Sequence, residues 1–436
     1  MKSLGLACGL ALLARLAWQL VLGAYVQPET FEYEVIASNL LAGHGYTYVK
    51  DGAVYVASQS SPLYIYLTAL VYALTGHSQS AMLAIQAIGG ASTAGLAAWL
   101  GRRTFSVGAG WLTGAAVALD PGLVIYAAKL HSLTFDALVF VAIVCAAVAL
   151  RRCPRPLQLA MYGALIGVAG LMRSTALVYL PVVLWWLGRY RAVAPSGLAL
   201  LALTALLVVA PWSIRCSVLL GQPVLASSEA TEWLWRGNNP SATGSSYTAN
   251  GRPMLEAAPP DFRGRVLAGS EAERIGLYRD ASLGFVQEQP TAAAALYLRK
   301  LAAFWWAGPS TGLLYPPDWL TGYVAWSAAL LASAIMGALS LSPWERPAVR
   351  RVRAASGQRP GPHPGPLPEG EAVLLVGLVL VLTALTQSVF YVEGRHRLAV
   401  EPLLLVLSGG GLTSLTGSVT DTLNKARFAR VERSGK

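Results

Sequence analysis

The sequence predicts an all-α polytopic membrane protein, on three observations. Apolar residues fill 55% of its 436 positions and charged ones only 13%, with a mean hydropathy of +0.50. A soluble chain carries about 25% charged residues. About ten apolar runs approach the length that crosses a bilayer, roughly 20 residues with some spread. The basic residues sit in short blocks between those runs, as the positive-inside rule requires. That placement also accounts for the net charge of +11. The basic balance is topological, and no nucleic-acid partner is expected.

The runs lie near 4–26, 80–100, 105–124, 133–150, 157–172, 174–188, 197–212, 318–341, 372–390 and 398–414. The first is too long for the apolar stretch of a secretory signal and reads as a retained anchor. The pair around Arg173 is short enough to form one kinked element. If the runs alternate, Lys2, Arg102-Arg103, Arg151-Arg152 with Arg155, Arg189 with Arg191, the block from Arg346 to Arg359 and the tail from Lys425 share the cytoplasmic side. The outer side receives 27–79, the turn at Tyr126–His131, Arg173, 213–317 and Tyr391–Arg397. The chain divides into a transmembrane region 1–341, containing a first outer loop 27–79 and an outer cap segment 213–317. A cytoplasmic Pro/Arg-rich linker 342–371, C-terminal transmembrane helices 372–415 and a basic cytoplasmic tail 416–436 follow.

The first outer loop carries an amphipathic helix. Tyr33, Ile36, Ala37, Leu40 and Leu41 form one apolar stripe at helical spacing. Pro28 suits the first turn and Gly43 the stop. On that reading Glu29 and Glu32, three apart, project from one side near the helix start, where the dipole favours anions. In the cap segment, Ser227–Asp261 is rich in Gly, Asn, Pro, Ser and Thr and reads as irregular loop. From Ser270 to Phe304 the pattern turns helical, and Trp305-Trp306 suit an interfacial belt. The linker reads as disordered. Of the four cysteines, Cys8 and Cys145 lie in apolar runs, Cys153 and Cys216 are scattered, and none has metal spacing.

Ionisable groups at the ends of spans are expensive, so each is a functional candidate. The outer side offers Glu29, Glu32, Glu34 and Asp51, with Asp136 inside a span. Its cations are Lys129, Arg173, Arg215, Lys300, Arg395 and Arg397, with His44, His131 and His396 nearby. Several arginines at one membrane surface suit an anionic head group, because guanidinium binds phosphate bidentately. A carboxylate beside them suits a general base. The residues alone point to an enzyme acting on a lipid phosphate.

These positions resemble the GT-C glycosyltransferases that use polyprenyl-phosphate sugars, nearest to the protein O-mannosyltransferases and the lipid A aminoarabinose and galacturonic acid transferases. The resemblance spans roughly 5–415 and rests on motif order. Glu29, Tyr33 and Ala37 keep the family's acid–tyrosine–alanine spacing, followed by Leu41, Gly43 and Tyr46. Pro62-Leu63-Tyr64, Gly170-Leu171-Met172-Arg173, Pro211-Trp212-Ser213-Ile214-Arg215, the Gly-Asn-Asn-Pro stretch Gly237–Gly244 and Arg395-His396-Arg397-Leu398 through Pro402 follow in order. The family's first acid is usually aspartate, and here it is Glu29. Many relatives carry a second acid near the outer start of the fourth span; here Lys129 to Phe135 holds none until Asp136, which falls inside the span. Ser60-Ser61 stand where the aminoarabinose transferases have a lysine before Pro-Pro-Leu, so either another cation binds the phosphate or the substrate differs.

The resemblance implies a GT-C-like bundle of about ten transmembrane helices with a small extracytoplasmic cap, in a bacterial inner (plasma) membrane, serving the cell envelope or lipopolysaccharide. It implies transfer of a sugar from a polyprenyl-phosphate donor to a lipid, glycan or protein acceptor at the extracytoplasmic face. A base at Glu29, or its neighbour Glu32, would drive one inverting step. Arg173, Arg215, Arg395 and Arg397 would hold the donor phosphate, and Tyr33, His44, Tyr64, Lys129, Asn238, Asn239 and Lys300 are candidates for substrate contact. No cofactor is certain and a divalent metal stays open. A flippase for a lipid-linked sugar, or an inactive assembly subunit, remains an alternative.

Overall fold

The computed structural model describes residues 2–56, 62–150, 153–306, 317–340 and 370–415. Ser60-Ser61, Arg151-Arg152, the expected linker up to residue 369 and the tail 416–436 lie outside the described residues. Among the described residues the fold is helical apart from a hairpin of β1 (Tyr48–Lys50) and β2 (Ala53–Tyr55) in the first outer loop. Four helices among the described residues are long and apolar enough to cross a membrane: within α1 (Lys2–Val21), α4 (Gln79–Thr104), α10 (Pro195–Leu220) and α15 (Pro317–Ser340). Shorter apolar helices accompany them: α3 (Pro62–Thr75), α5 (Val107–Leu119), α7 (Leu133–Ala149), α8 (Pro156–Met172), α16 (Glu371–Gln387) and α18 (Glu401–Leu415). The chain is a multi-pass membrane protein.

Local chemistry sets where the helices break. Ser78 and Ser106 accept from the backbone of Ala81 and Ala109 and cap α4 and α5. The run 105–124 is two helices, because Asp120 accepts from Leu123 N and Pro121 opens a second helix, α6 (Pro121–Tyr126). The run 174–188 begins as a 3₁₀ turn over Ser174–Val178 and continues as α9 (Tyr179–Arg191). The outer loop's helix, α2, spans Glu32–Leu41, later than Pro28 suggested. Before it the chain is held extended, with Glu29 O accepting from Leu130 N at 2.9 Å. Glu29 therefore lies outside the helix and does not share a face with Glu32. The helix stop is as expected, with Gly43 at φ +80°.

The membrane helices pack through small residues, as close approach in lipid demands. A Cβ on Gly163 of α8 would sit 2.2 Å from Leu201 O of α10. A cation buried inside α1 has carbonyl partners: Arg15, 1% exposed, donates to Ala118 O at 3.2 Å and Val117 O at 3.3 Å. These carbonyls close the last turn of α5, the end of the dipole that favours a cation.

The cap is built from α11 (Ala230–Gly237), α12 (Pro260–Ala268), α13 (Glu271–Glu288) and α14 (Pro290–Trp305). The stretch read as irregular loop thus contains α11. The helical stretch after Ser270 is two helices, split where Pro290 begins the second. Ser270 and Glu273 form a capping box at the start of α13. Trp235, Met254, Val266 and Tyr278 form the cap's own small core.

Candidate active site

A cavity of about 300 Å³ opens where the helix starts of the outer segments converge. Its wall is made by Phe31 and Glu32 at the start of α2, Lys50 of β1, His131 and Asp136 at the start of α7, Arg173 at the end of α8, Glu229 and Arg236 about α11, and Tyr391, Arg395 and His396 beyond α16. Every one of these positions lies in or beside a segment that charge patterning placed on one side of the membrane. Three helices begin at the wall with a carboxylate in the first turn: Glu32, Asp136 and Glu232. Their positive dipole ends favour anions there.

Each cation of the wall already has a carboxylate partner. Arg173 contacts Asp136 at 3.0 Å, Arg395 contacts Glu393 at 3.0 Å, Lys50 contacts Glu232 at 2.7 Å, and Arg236 also contacts Glu232. An incoming phosphate therefore meets paired guanidiniums and must share them. Glu229, 6% exposed, lies 3.8 Å from Lys50, and burial pushes its carboxyl up to about 8, with Lys50 opposing. Glu232 goes the other way: burial raises it, but Arg236 and Lys50 together hold it below the usual carboxylate range. His131 and His396 are both held well below 6.5 by burial and by Arg395 and Arg173. Both rings are neutral at pH 7, and each accepts through Nδ1 from a backbone N–H, of Leu133 and Glu393 respectively, at 3.1 Å.

The structure sorts the candidates read from sequence. It brings Glu32, Tyr33, Arg173 and Arg395 to the cavity. Glu29 is not part of its lining. Its side chain is 55% exposed and contacts Lys129 at 2.6 Å. Arg215 donates to Val56 O at 2.9 Å and stacks on Trp212, 4.8 Å from the ring centre, outside the cavity lining. Arg397 turns into the protein, 1% exposed, and binds Glu401 at 2.9 Å, Trp305 O at 2.8 Å and Ser327 Oγ at 3.1 Å. His44 lies exposed in the loop after α2. Tyr64 is buried behind Tyr33, its ring 5.1 Å away, and its hydroxyl donates to Gln86 Oε1 at 2.5 Å.

Lys300, Asn238 and Asn239 hold the frame. Lys300 is fully buried and donates to Gly237 O and Asn238 Oδ1 at 3.0 Å and to Val389 O at 3.4 Å. Asn238 Nδ2 bridges Leu234 O and Val389 O at 2.7 Å, and Asn239 Nδ2 donates to Trp235 O at 2.8 Å. Together they lash the end of α11 to the 389–396 segment that carries Arg395. Gly237 makes this lashing tight: a Cβ there would lie 2.5 Å from the Phe390 carbonyl and 2.6 Å from Tyr391 N.

Sequence reasoning missed Lys50, Glu229, Glu232 and Arg236. One signal was available: Glu232 and Arg236 have the i,i+4 spacing of a helical ion pair, masked by the Gly-Asn-Asn-Pro stretch that follows. Among the described residues no three His, Cys, Asp or Glu side chains group as a metal site.

Comparison with known proteins supports the fold. Residues 59–214 match the family described as dolichyl-phosphate-mannose-protein mannosyltransferase. No curated protein matches the chain. The structure of the archaeal oligosaccharyltransferase AglB from Archaeoglobus fulgidus, in complex with an inhibitory peptide and a dolichol-phosphate, is similar over 98% of this chain and 51% of that one, at 12% identity and a TM-score of 0.51. The same organism's oligosaccharyltransferase in the apo form matches at 14% identity and a TM-score of 0.50, over 98% of this chain and 52% of that one. ArnT from Cupriavidus metallidurans bound to undecaprenyl phosphate aligns over 88% of this chain and 76% of that one, at 18% identity and a TM-score of 0.42, which adds nothing to the fold assignment. The chain spans about half the length of the oligosaccharyltransferase structures it matches. The resemblance to the GT-C membrane glycosyltransferases stands, at the level of the fold and of the 59–214 segment.

Proposed function

We propose that this GT-C-type chain transfers a sugar from a polyprenyl-phosphate donor to a hydroxyl acceptor at the extracytoplasmic membrane face. One observation carries the reading: Glu32 shares a single cavity with Arg173 and Arg395, walled by segments that charge patterning assigns to the outer side and by the span ends beside them. The family match over 59–214 and a fold shared with an enzyme solved with a dolichol-phosphate support a lipid-linked donor.

Glu32 takes the proton of the acceptor hydroxyl. The freed oxygen attacks the anomeric carbon from the face opposite the phosphate, and the bond from that carbon to the phosphate oxygen breaks. The lipid phosphate leaves with the bond's electrons. Arg395, 32% exposed at its side chain, and Arg173, 20% exposed, turn toward the leaving phosphate as its charge grows. The two neutral histidines take no charge in the step. Glu32 is preferred to Glu29 as the base because Glu29 stands outside the cavity lining and is neutralised by Lys129. No step is routed through a metal.

The test is transfer by purified protein in lipid nanodiscs, supplied with radiolabelled polyprenyl-phosphate sugars and a cell-envelope extract. Label moving from lipid to acceptor supports the reading. Retention of label on every donor, with the lipids still bound, contradicts it.

A further inference from the structure

One polar atom in the cavity wall has no partner. Asp136 lines the cavity from the first turn of α7 and is 1% exposed. Its Oδ2 accepts from Arg173 at 3.0 Å and from Ser132 Oγ at 3.3 Å. Its Oδ1 is buried and meets no donor. An ionised carboxylate can only accept, and burying one of its oxygens bare is costly. Such a group in a native wall calls for an explanation, and a ligand that completes it is one.

The chemistry of the missing donor can be narrowed. A phosphate dianion has no hydrogen to give. An ammonium would have to sit beside the Arg173 guanidinium, which occupies the other oxygen of the same carboxylate. A neutral hydroxyl meets neither objection, and a pyranose carries several. We propose that Asp136 reads the sugar of the donor, its Oδ1 accepting from one ring hydroxyl while its Oδ2 holds Arg173 toward the phosphate. This rests on the transferase reading. One side chain then sets the distance between the sugar and the cation that receives its leaving group. That registers the anomeric carbon in the cavity, and the contact makes Asp136 a determinant of which sugar is accepted.

The experiment is equilibrium binding to nanodisc-embedded protein. The probes are undecaprenyl phosphate, undecaprenyl-phosphate glucose and mannose, and the monodeoxy forms of whichever binds tighter. Wild type is compared with Asp136→Asn, which keeps the shape and an oxygen for Arg173 but puts a donor where the acceptor was. Wild type is expected to bind the sugar-bearing lipid about tenfold more tightly than the bare lipid phosphate, the scale of one hydrogen bond to a charged group. In the variant that increment, the ratio between the two lipids, disappears, while bare-lipid affinity itself shifts because Arg173 loses its charged partner. In wild type, one monodeoxy donor reproduces the same loss with no mutation at all. Equal weakening of both lipids by the variant overturns the proposal, because Asp136 then serves only Arg173. So does a set of monodeoxy donors that all bind wild type like the parent. Failure of wild type to bind undecaprenyl phosphate overturns the transferase reading itself, through a separate arm.

Discussion

Replacing Arg397 alone should cost more stability than removing its whole ion pair. Arg397 and Glu401 are each 1% exposed, and the guanidinium also donates to Trp305 O and Ser327 Oγ. Arg397→Met leaves the Glu401 carboxylate buried without its cation, a loss of about 3–5 kcal/mol. The double change Arg397→Met with Glu401→Leu removes both charges. What remains is the Trp305 carbonyl and the Ser327 hydroxyl without their donor, about 1–3 kcal/mol. Those two losses are common to both variants, so the double variant should be the more stable by the cost of the bare carboxylate, about 3–5 kcal/mol. Cys145 and Cys216 are buried, so a thiol-reactive dye reports unfolding as a rise above the reaction of the exposed Cys153. The same samples are tested for undecaprenyl phosphate binding, which the double variant should retain. A double variant no more stable than the single refutes the buried-pair argument. A stable double variant that has lost lipid phosphate returns Arg397 to the donor site.

Gly237→Ala pushes its methyl into the Phe390–Tyr391 backbone, and overpacking of that kind costs about 1–3 kcal/mol. Because the displaced segment carries Arg395, donor affinity should fall more than the melting temperature suggests, and binding measured beside thermal unfolding checks it. Glu229 ties stability to pH. Its carboxyl stays protonated up to about 8 when folded, against an ordinary 4.5, so the folded state binds the extra proton. The contribution is complete below about 4.5 and is lost as pH rises through 8. Lys300, pushed down to about 7 by burial from 10.5, acts in the opposite sense across an overlapping window. The readout is therefore the difference between wild type and Glu229→Gln in unfolding midpoint from pH 6 to 9, which should shift against wild type as pH rises.

The membrane architecture was legible because a bilayer imposes composition directly: each apolar run returned as a helix or a pair of helices. Breaks such as Asp120-Pro121 were legible only as local chemistry, and hydropathy averaged across them. The segments that charge patterning groups on one side do meet around the cavity. Pairings between distant segments were not. Arg395 and Arg397 stand two residues apart on one short helix, α17 (Gly394–Leu398), so they point about 200° apart. One meets the cavity and the other Glu401, and no spacing in the sequence chooses between them. Glu29 kept the motif position of an acid, but its pairing with Lys129 depends on a strand contact to a residue a hundred positions away. Lys300 read as a substrate cation because its three acceptors come from Gly237, Asn238 and Val389, segments no local pattern joins to α14.

The most direct measurement sets Glu32→Gln beside Glu29→Gln in the label-transfer assay, with donor binding followed in parallel. The account expects Glu32→Gln to bind donor like wild type and to lose transfer by about 10²–10⁴-fold, the scale of a positioned general base. Glu29→Gln should keep transfer within about tenfold of wild type, since only an exposed ion pair outside the cavity lining is lost. Full activity in Glu32→Gln, or abolition by Glu29→Gln alone, would contradict the account and move the base out of the cavity.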